Sequence, residues 1–298
     1  MPQELHTELQ AALAAVRAKR AFNENQWIEA KCRMLNDYMT RCGLKACVIN
    51  MSGGVDSSIT AALCKHAMEM SGSPIKKVLA IAQPIKSTAS IQGRAFETAH
   101  AIGVDIITVD QSSIFDQLQP LVDGALGMQG NQFAKGQLKS YMRTPVAFYT
   151  AQVLSANGLP AIVIGTGNMD EDGYLFYFCK AGDGISDIQL IADLHKSEVF
   201  RAARALGVPQ SVLVAPPSAD LWDGQTDEDE IGASYDFVEL YTSILAYPKP
   251  DQERIVGGFG PEARAQFDRL GALIEGIHRR NKHKEKFPIN LNVLAPLF

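Results

Sequence analysis

The chain has 298 residues, 46% of them hydrophobic and 20% charged, and carries a formal net charge of −5. That length suits one α/β unit with added helices, and the acidic balance excludes the broad basic face of a nucleic-acid binder. Apolar runs break within about ten residues where a membrane span needs about 20, so no membrane association is expected.

The start, MPQELHTELQ, has neither the basic residues nor the apolar core of a secretory signal. Residues 4–21 place Leu5, Leu9, Leu13 and Val16 on one helical face, and Ile28, Cys32, Leu35 and Met39 form a second stripe. After Gly43 the pattern changes to short β-branched runs at 46–50, 77–83, 105–109 and 161–164. Helical stretches at 57–71, 89–102, 113–125 and 134–156 lie between them. Runs that are apolar throughout fit strands covered on both faces. Their alternation with helices predicts an α/β fold, a doubly wound open parallel β-sheet with helices on both faces. Residues 229–298 read as mostly helical up to NKHKEKFPINLNVLAPLF, which reads as extended. The expectation is a single domain over 1–298, with N- and C-terminal helical extensions. Cys32, Cys42, Cys47, Cys64 and Cys179 form no CxxC pair, which suits reduced thiols in a cytoplasm better than a disulfide frame or a zinc site.

Chemistry concentrates first in MSGGVDSS, residues 51–58, which leave the first strand and enter a helix. Ligands of open parallel sheets bind beyond the carboxyl ends of the strands. Gly53 and Gly54 let backbone approach a ligand closely, free N–H groups at the next helix start point outwards, and Ser52, Ser57 and Ser58 add hydroxyls. Such a turn can cradle phosphates, although SGG alone equally suits a plain strand-to-helix turn capped by Asp or Ser. The G-x-x-x-x-G-K-[ST] spacing is absent. Asp56 would repel a phosphate unless Mg²⁺ bridged them. The whole S-G-G-x-D-S-S string resembles the pyrophosphate loop of the ATP pyrophosphatase superfamily, which cleaves ATP to AMP and pyrophosphate.

A second cluster, AIVIGTGNMDEDGYLFYFCKAGDGISDIQLIADLHK (161–196), carries Thr166, Glu171, Lys180, the GDG turn at 182–184, Asp187 and Lys196. PPSADLWDGQTDEDEIG (216–232) and HKEKFP (283–288) follow. In this order the motifs are similar to the NAD synthetase family, over roughly residues 24 to 290. The resemblance implies the adenine-nucleotide hydrolase-like version of the fold and conversion of deamido-NAD to NAD through an adenylated nicotinate. ATP, deamido-NAD and ammonia would be the substrates, Mg²⁺ the cofactor, and a homodimer the assembly. It assigns Ser52, Gly53, Gly54, Val55, Asp56, Ser57, Ser58, Thr166, Lys196 and Ser218 to ATP, and Asp56 and Glu171 to the metal. Arg143, Lys180, Asp187, His283 and Lys284 are assigned to deamido-NAD. Asp56, Lys180 and Lys196 are expected to serve catalysis, with Asp183 as the carboxylate that takes a proton from ammonium.

Two departures stand out. Tyr141 replaces the first of two alternating arginines, Arg143 being the second, and the stretch between Glu171 and Lys180 is one residue longer than the family's. Within the chain no Cys-centred amidase motif is present, so free ammonia is the expected nitrogen donor. The competing readings are another ATP pyrophosphatase, such as a tRNA-modifying enzyme, and a nucleotide-binding module without turnover. The former would favour paired cysteines and a basic face. The latter has no need for two metal carboxylates. Lys180, Lys196, Glu171 and His283 would each pass as solvated surface residues in isolation. The remaining histidines show no metal spacing, and YLFYF (174–178) reads as core or interface.

Overall fold

Ala46–Asn50 (β1) is buried on both sides because its alternate residues meet different helical layers. Val48 packs with Ala147 and Ala151 of α6 (Gln132–Ala156). Cys47 and Ile49 pack instead into a core shared with α2 (Glu24–Arg41), α3 (Val55–Glu69) and α7 (Lys196–Ala205). The computed structural model describes residues 3–87, 89–218, 224, 226–286 and 288, with the backbone alone at 89–92.

The chain begins with α1 (Thr7–Arg20) and α2, and then builds a sheet from β1, β2 (Lys77–Ala82), β3 (Asp105–Thr108), β4 (Ala161–Gly165) and β5 (Ile188–Gln189). All pairings are parallel, in the order β3-β2-β1-β4-β5. Val48 pairs with Leu79 on one side and Val163 on the other, so β1 lies centrally and the order reverses direction beside it. A cleft opens beyond the strand ends at such a reversal. Helices α4 (Ala89–Ile102), α5 (Ser112–Leu126) and α6 complete the layers. This is the doubly wound sheet expected from the alternation of strands and helices. The two-residue β5 and the π-helix over Met169–Leu175 are additions to it.

The remaining helices are α8 (Gln210–Leu213), α9 (Asp227–Ile231), α10 (Tyr235–Leu245), α11 (Lys249–Gly257) and α12 (Pro261–Asn281). Leu9 and Leu13 of α1 share a second core with Phe237 and Leu240 of α10 and Phe267 and Leu270 of α12. Leu175, at the end of the π-helix, is buried in that core, so the helical extensions clamp the segment that carries Glu171. The expected extended tail is corrected at its start. Asn281 ends α12 and Lys282–Lys284 form a 3-10 turn. Asn281 donates to the Leu175 carbonyl at 3.0 Å, and Lys284 to those of Phe176 and Phe178 at 3.0 and 2.6 Å, fixing the turn against the π-helix exit. The rest of that tail, 287 and 289–298, lies outside the described residues, as do 219–223 and 225 of the PPSADLWDGQ motif. Among the described residues no helix is long and apolar enough to cross a membrane.

Candidate active site

The turn after β1 is shaped by its smallest residues. Gly53 has φ +87°, a left-handed conformation that a side chain would strain, and Gly54 caps α3 with no side chain of its own. The serines stabilise the turn from within. Ser52 Oγ lies 3.1 Å from Ser57 Oγ, and Ser57 and Ser58 donate to the Gly54 carbonyl at 3.1 and 2.8 Å. Asp56 therefore has no capping duty. Its carboxylate accepts from Asn168 Nδ2 at 3.0 Å and from Lys196 Nζ at 2.5 Å.

Lys196 is the hinge of the site. Its Nζ also donates to Glu171 Oε1 at 2.7 Å, so one buried ammonium joins two carboxylates from distant parts of the chain. Burial alone would lower the lysine's pKa, but the Asp56 and Glu171 charges outweigh it and raise it. Burial likewise works to raise Glu171. Lys196 and a 2.5 Å hydrogen bond from the Tyr235 hydroxyl overcome that, and the carboxyl ends below its usual range. At Asp56 desolvation prevails and the carboxyl is pushed up.

The backbone around these groups is tied down. Asn168 Oδ1 accepts the N–H groups of Asp170 and Glu171, both at 3.0 Å, and so starts the π-helix. Asp170, with no exposed surface, pairs with His195 Nδ1 at 2.7 Å and accepts from Lys196 N at 2.7 Å. Glu171 and Lys196 each follow one partner of that pair, which sets them face to face.

These groups open into a cavity of about 450 Å³. Of the residues expected at ATP, it is lined by Ser52, Gly54, Val55, Asp56, Ser57, Thr166, Lys196 and Ser218. Gly53 and Ser58 stand just behind that surface, supporting the turn. Glu171, Asp183, Arg143 and Lys284 also line the cavity. Asp183 accepts from Cys179 N at 2.8 Å. Its side chain is exposed to the cavity, and desolvation by the protein around it pushes its carboxyl up. The GDG turn fits tightly, since a Cβ on Gly182 would come within 2.1 Å of Ser140 Oγ.

Of the residues expected at deamido-NAD, three are placed outside the lining. Lys180 donates to the His283 carbonyl at 2.8 Å, His283 is exposed, and Asp187 accepts from Val163 N at 2.7 Å at the edge of β4. Conversely, Asn168, Tyr235, Asp227, Arg94 and Arg280 belong to the site or its support and carried no periodic or spacing signal. Asn168 was the most accessible of these, because an Asn directly before an acidic turn is a helix-capping pattern. Tyr177 and Phe178 of the YLFYF run face the cavity, while Leu175 and Phe176 are buried as core.

The donors suit a hard cation. Two carboxylates, Asp56 and Glu171, already share one positive charge, and Mg²⁺ is typically held by one or two carboxylates completed by substrate phosphates. Among the described residues no three His, Cys, Asp or Glu side chains gather into a group that could hold a metal ion.

Comparison with known proteins gives the site its context. The family model described as NAD synthase matches residues 27–288. The NH(3)-dependent NAD(+) synthetase of Alkaliphilus oremlandii is 33% identical over 264 residues, 88% of this chain and 94% of its own. That of Methanococcoides burtonii is 36% identical over 251 residues, covering 83% and 87%. Among solved structures, NMN synthetase from Francisella tularensis superposes with a TM-score of 0.70 at 26% identity, over 93% of this chain and 100% of its own. An NH3-dependent NAD synthetase from Campylobacter jejuni gives 0.70 at 19% identity, over 91% and 100%, a likeness of fold. With the model matched along most of the sequence, and these relatives alike over nearly their full length, the chain belongs to the NAD synthase family.

Proposed function

We propose that this chain carries out ATP-dependent amidation of deamido-NAD to NAD with ammonia, releasing AMP and pyrophosphate. The observation that carries the reading is Lys196 held between Asp56 and Glu171 at the mouth of the serine-glycine turn, inside one cavity. The nicotinate carboxylate attacks the α-phosphorus of ATP and pyrophosphate leaves. Ammonia then attacks the acyl carbon of the adenylate, and AMP leaves as the amide forms. The turn's N–H groups and serines hold the phosphate chain. Lys196 stabilises the negative charge that develops on the phosphoryl oxygens. Arg143 and Lys284, also in the cavity lining, receive the anionic deamido-NAD, and Lys180 and His283 support the tail turn. Mg²⁺, held by Asp56 and Glu171, would supply charge neutralisation on the phosphates. Asp183 is assigned to the proton that ammonium must lose. The setting is the cytoplasm, where ATP and reduced thiols coexist.

The test is direct. With ATP, deamido-NAD and ammonium the purified chain should form NAD, AMP and pyrophosphate in equal amounts, with little activity when glutamine replaces ammonium. Efficient use of glutamine, or no AMP with deamido-NAD, would sink the reading.

We further propose a homodimer built on α5 and α6. Leu121, Leu126, Met128 and Tyr149 are 70%, 61%, 66% and 72% exposed, an apolar surface that a soluble monomer seldom presents. Phe133 joins this face and also lines the cavity, so the proposed interface reaches the site's rim.

A further inference from the structure

We propose that Asp227 holds the nitrogen donor, binding ammonium in a niche on the cavity wall beside Tyr235; the assignment rests on the amidation reading above. Asp227 is only 6% exposed, yet it lines the cavity. Its Oδ1 is buried with no hydrogen-bond partner among the described residues. Its Oδ2 has the Tyr235 hydroxyl at 3.2 Å. That hydroxyl owns one hydrogen, and it lies only 2.5 Å from Glu171 Oε1, so the hydrogen goes to Glu171. The nearby Lys196 ammonium is engaged by Asp56 and Glu171. Among the described residues, both oxygens of a buried carboxylate therefore lack a donor. Buried polar groups are almost always satisfied, and an exception calls for a missing partner.

The chemistry of the cavity selects that partner. Arg143, Lys196, Arg280 and Lys284 suit anionic substrates but repel ammonium, so this cation, which becomes the nucleophile only on losing a proton, needs a carboxylate of its own. Ammonium brings N–H donors to a site that has only acceptors, and it is small enough for a wall niche. Burial, followed by the charge of Glu171, pushes the Asp227 carboxyl up to about 7, a strain that a bound cation relieves. Protonation would not replace it, because Oδ1 would still face no donor.

The experiment separates the two half-reactions. Asp227→Asn keeps the size and removes the charge. At saturating ATP and deamido-NAD, the ammonium concentration for half-maximal rate should rise about tenfold or more, the loss of one charge-assisted contact. Deamido-NAD-dependent exchange of pyrophosphate into ATP needs no ammonia and should stay within about threefold of wild type. Asp227→Ala, which empties the niche without offering an amide, should show the same split. An unchanged ammonium requirement in both variants would mean a niche for water and would overturn the assignment. Equal loss of exchange and of ammonium use would also overturn it, placing Asp227 in adenylation. Absence of exchange in the wild-type chain would overturn the function reading itself, and this assignment with it.

Discussion

Asp56 sits on the first turn of α3 but leaves the capping to Gly54, and that division of labour makes its role separable from stability. Asp56→Asn keeps the size and one acceptor oxygen, gives up one of the two hydrogen bonds from Asn168 and Lys196, and removes the charge that Mg²⁺ and the lysine share. We expect kcat/KM to fall by roughly 10²-fold or more, about 3 kcal/mol of transition-state stabilisation, with melting little changed. Near-normal turnover at unchanged melting temperature would strip Asp56 of its metal role. Asp227 gives a second prediction, in pH. Its carboxyl is raised from the ordinary 3.8 to about 7, chiefly by burial, so the folded chain holds this proton more tightly than the unfolded one. The stabilisation is fully present below about pH 4 and is lost as the pH climbs through 7. In ammonium-free buffer, Asp227→Asn should therefore gain stability over wild type between pH 4 and 8, each tenfold difference in proton affinity being worth about 1.4 kcal/mol. Calorimetric curves that run parallel across that range would mean an ordinary carboxyl.

At the scale of elements, the π-helix and the start of α7 form one device, since Asp170 ties His195 and Lys196 to the segment carrying Glu171. Asp170→Ala leaves the buried His195 Nδ1 and the Lys196 backbone N–H without the partner they share. It should cost about 2–5 kcal/mol in denaturant unfolding and weaken ATP use by displacing Lys196. Loss of ATP use at full stability would make Asp170 something other than a brace. This device also marks where sequence reasoning ended. β1, β2 and β4 were legible because apolar runs buried on both faces leave a continuous signal, while β3, an exposed edge strand, was legible from its β-branched residues alone; the observed limits of all four differ by a residue or so. The serine-glycine turn was legible because every residue in it is small or polar for one local reason. β5 has two residues, too few for any period, and the π-helix obeys neither period. Tyr235 and Asp227 reach Glu171 from another stretch of chain, through a core that only tertiary packing assembles. Asp187 shows the converse: the motif pointed to a substrate, and the carboxylate accepts a backbone hydrogen bond at β4.

For the whole molecule, smaller clusters join α6 to the sheet and to α5, and two large cores do the rest. One stacks α2, α3 and α7 on the sheet, and the other gathers α1, α10 and α12 around Leu175, so the cleft lies where they meet. Neither core covers the outer side of α5 and α6. Leu121 at 70% and Tyr149 at 72% exposure stand in that region with Leu126 and Met128, and burying side chains of this size contributes about 1.5–3 kcal/mol each. A second copy of the chain would bury them twice over, since a two-fold interface repeats every contact. We expect the purified protein to sediment as a dimer at micromolar concentration. Leu121→Arg combined with Tyr149→Arg should yield a folded monomer, because both positions are solvent-facing in the isolated chain and a charge there costs the monomer little. Phe133 links this face to the cavity, so the monomer should also lose activity while keeping its secondary structure and the greater part of its thermal stability. A wild-type chain that sediments as a monomer would remove the interface. A double variant that stays dimeric would move it to another face.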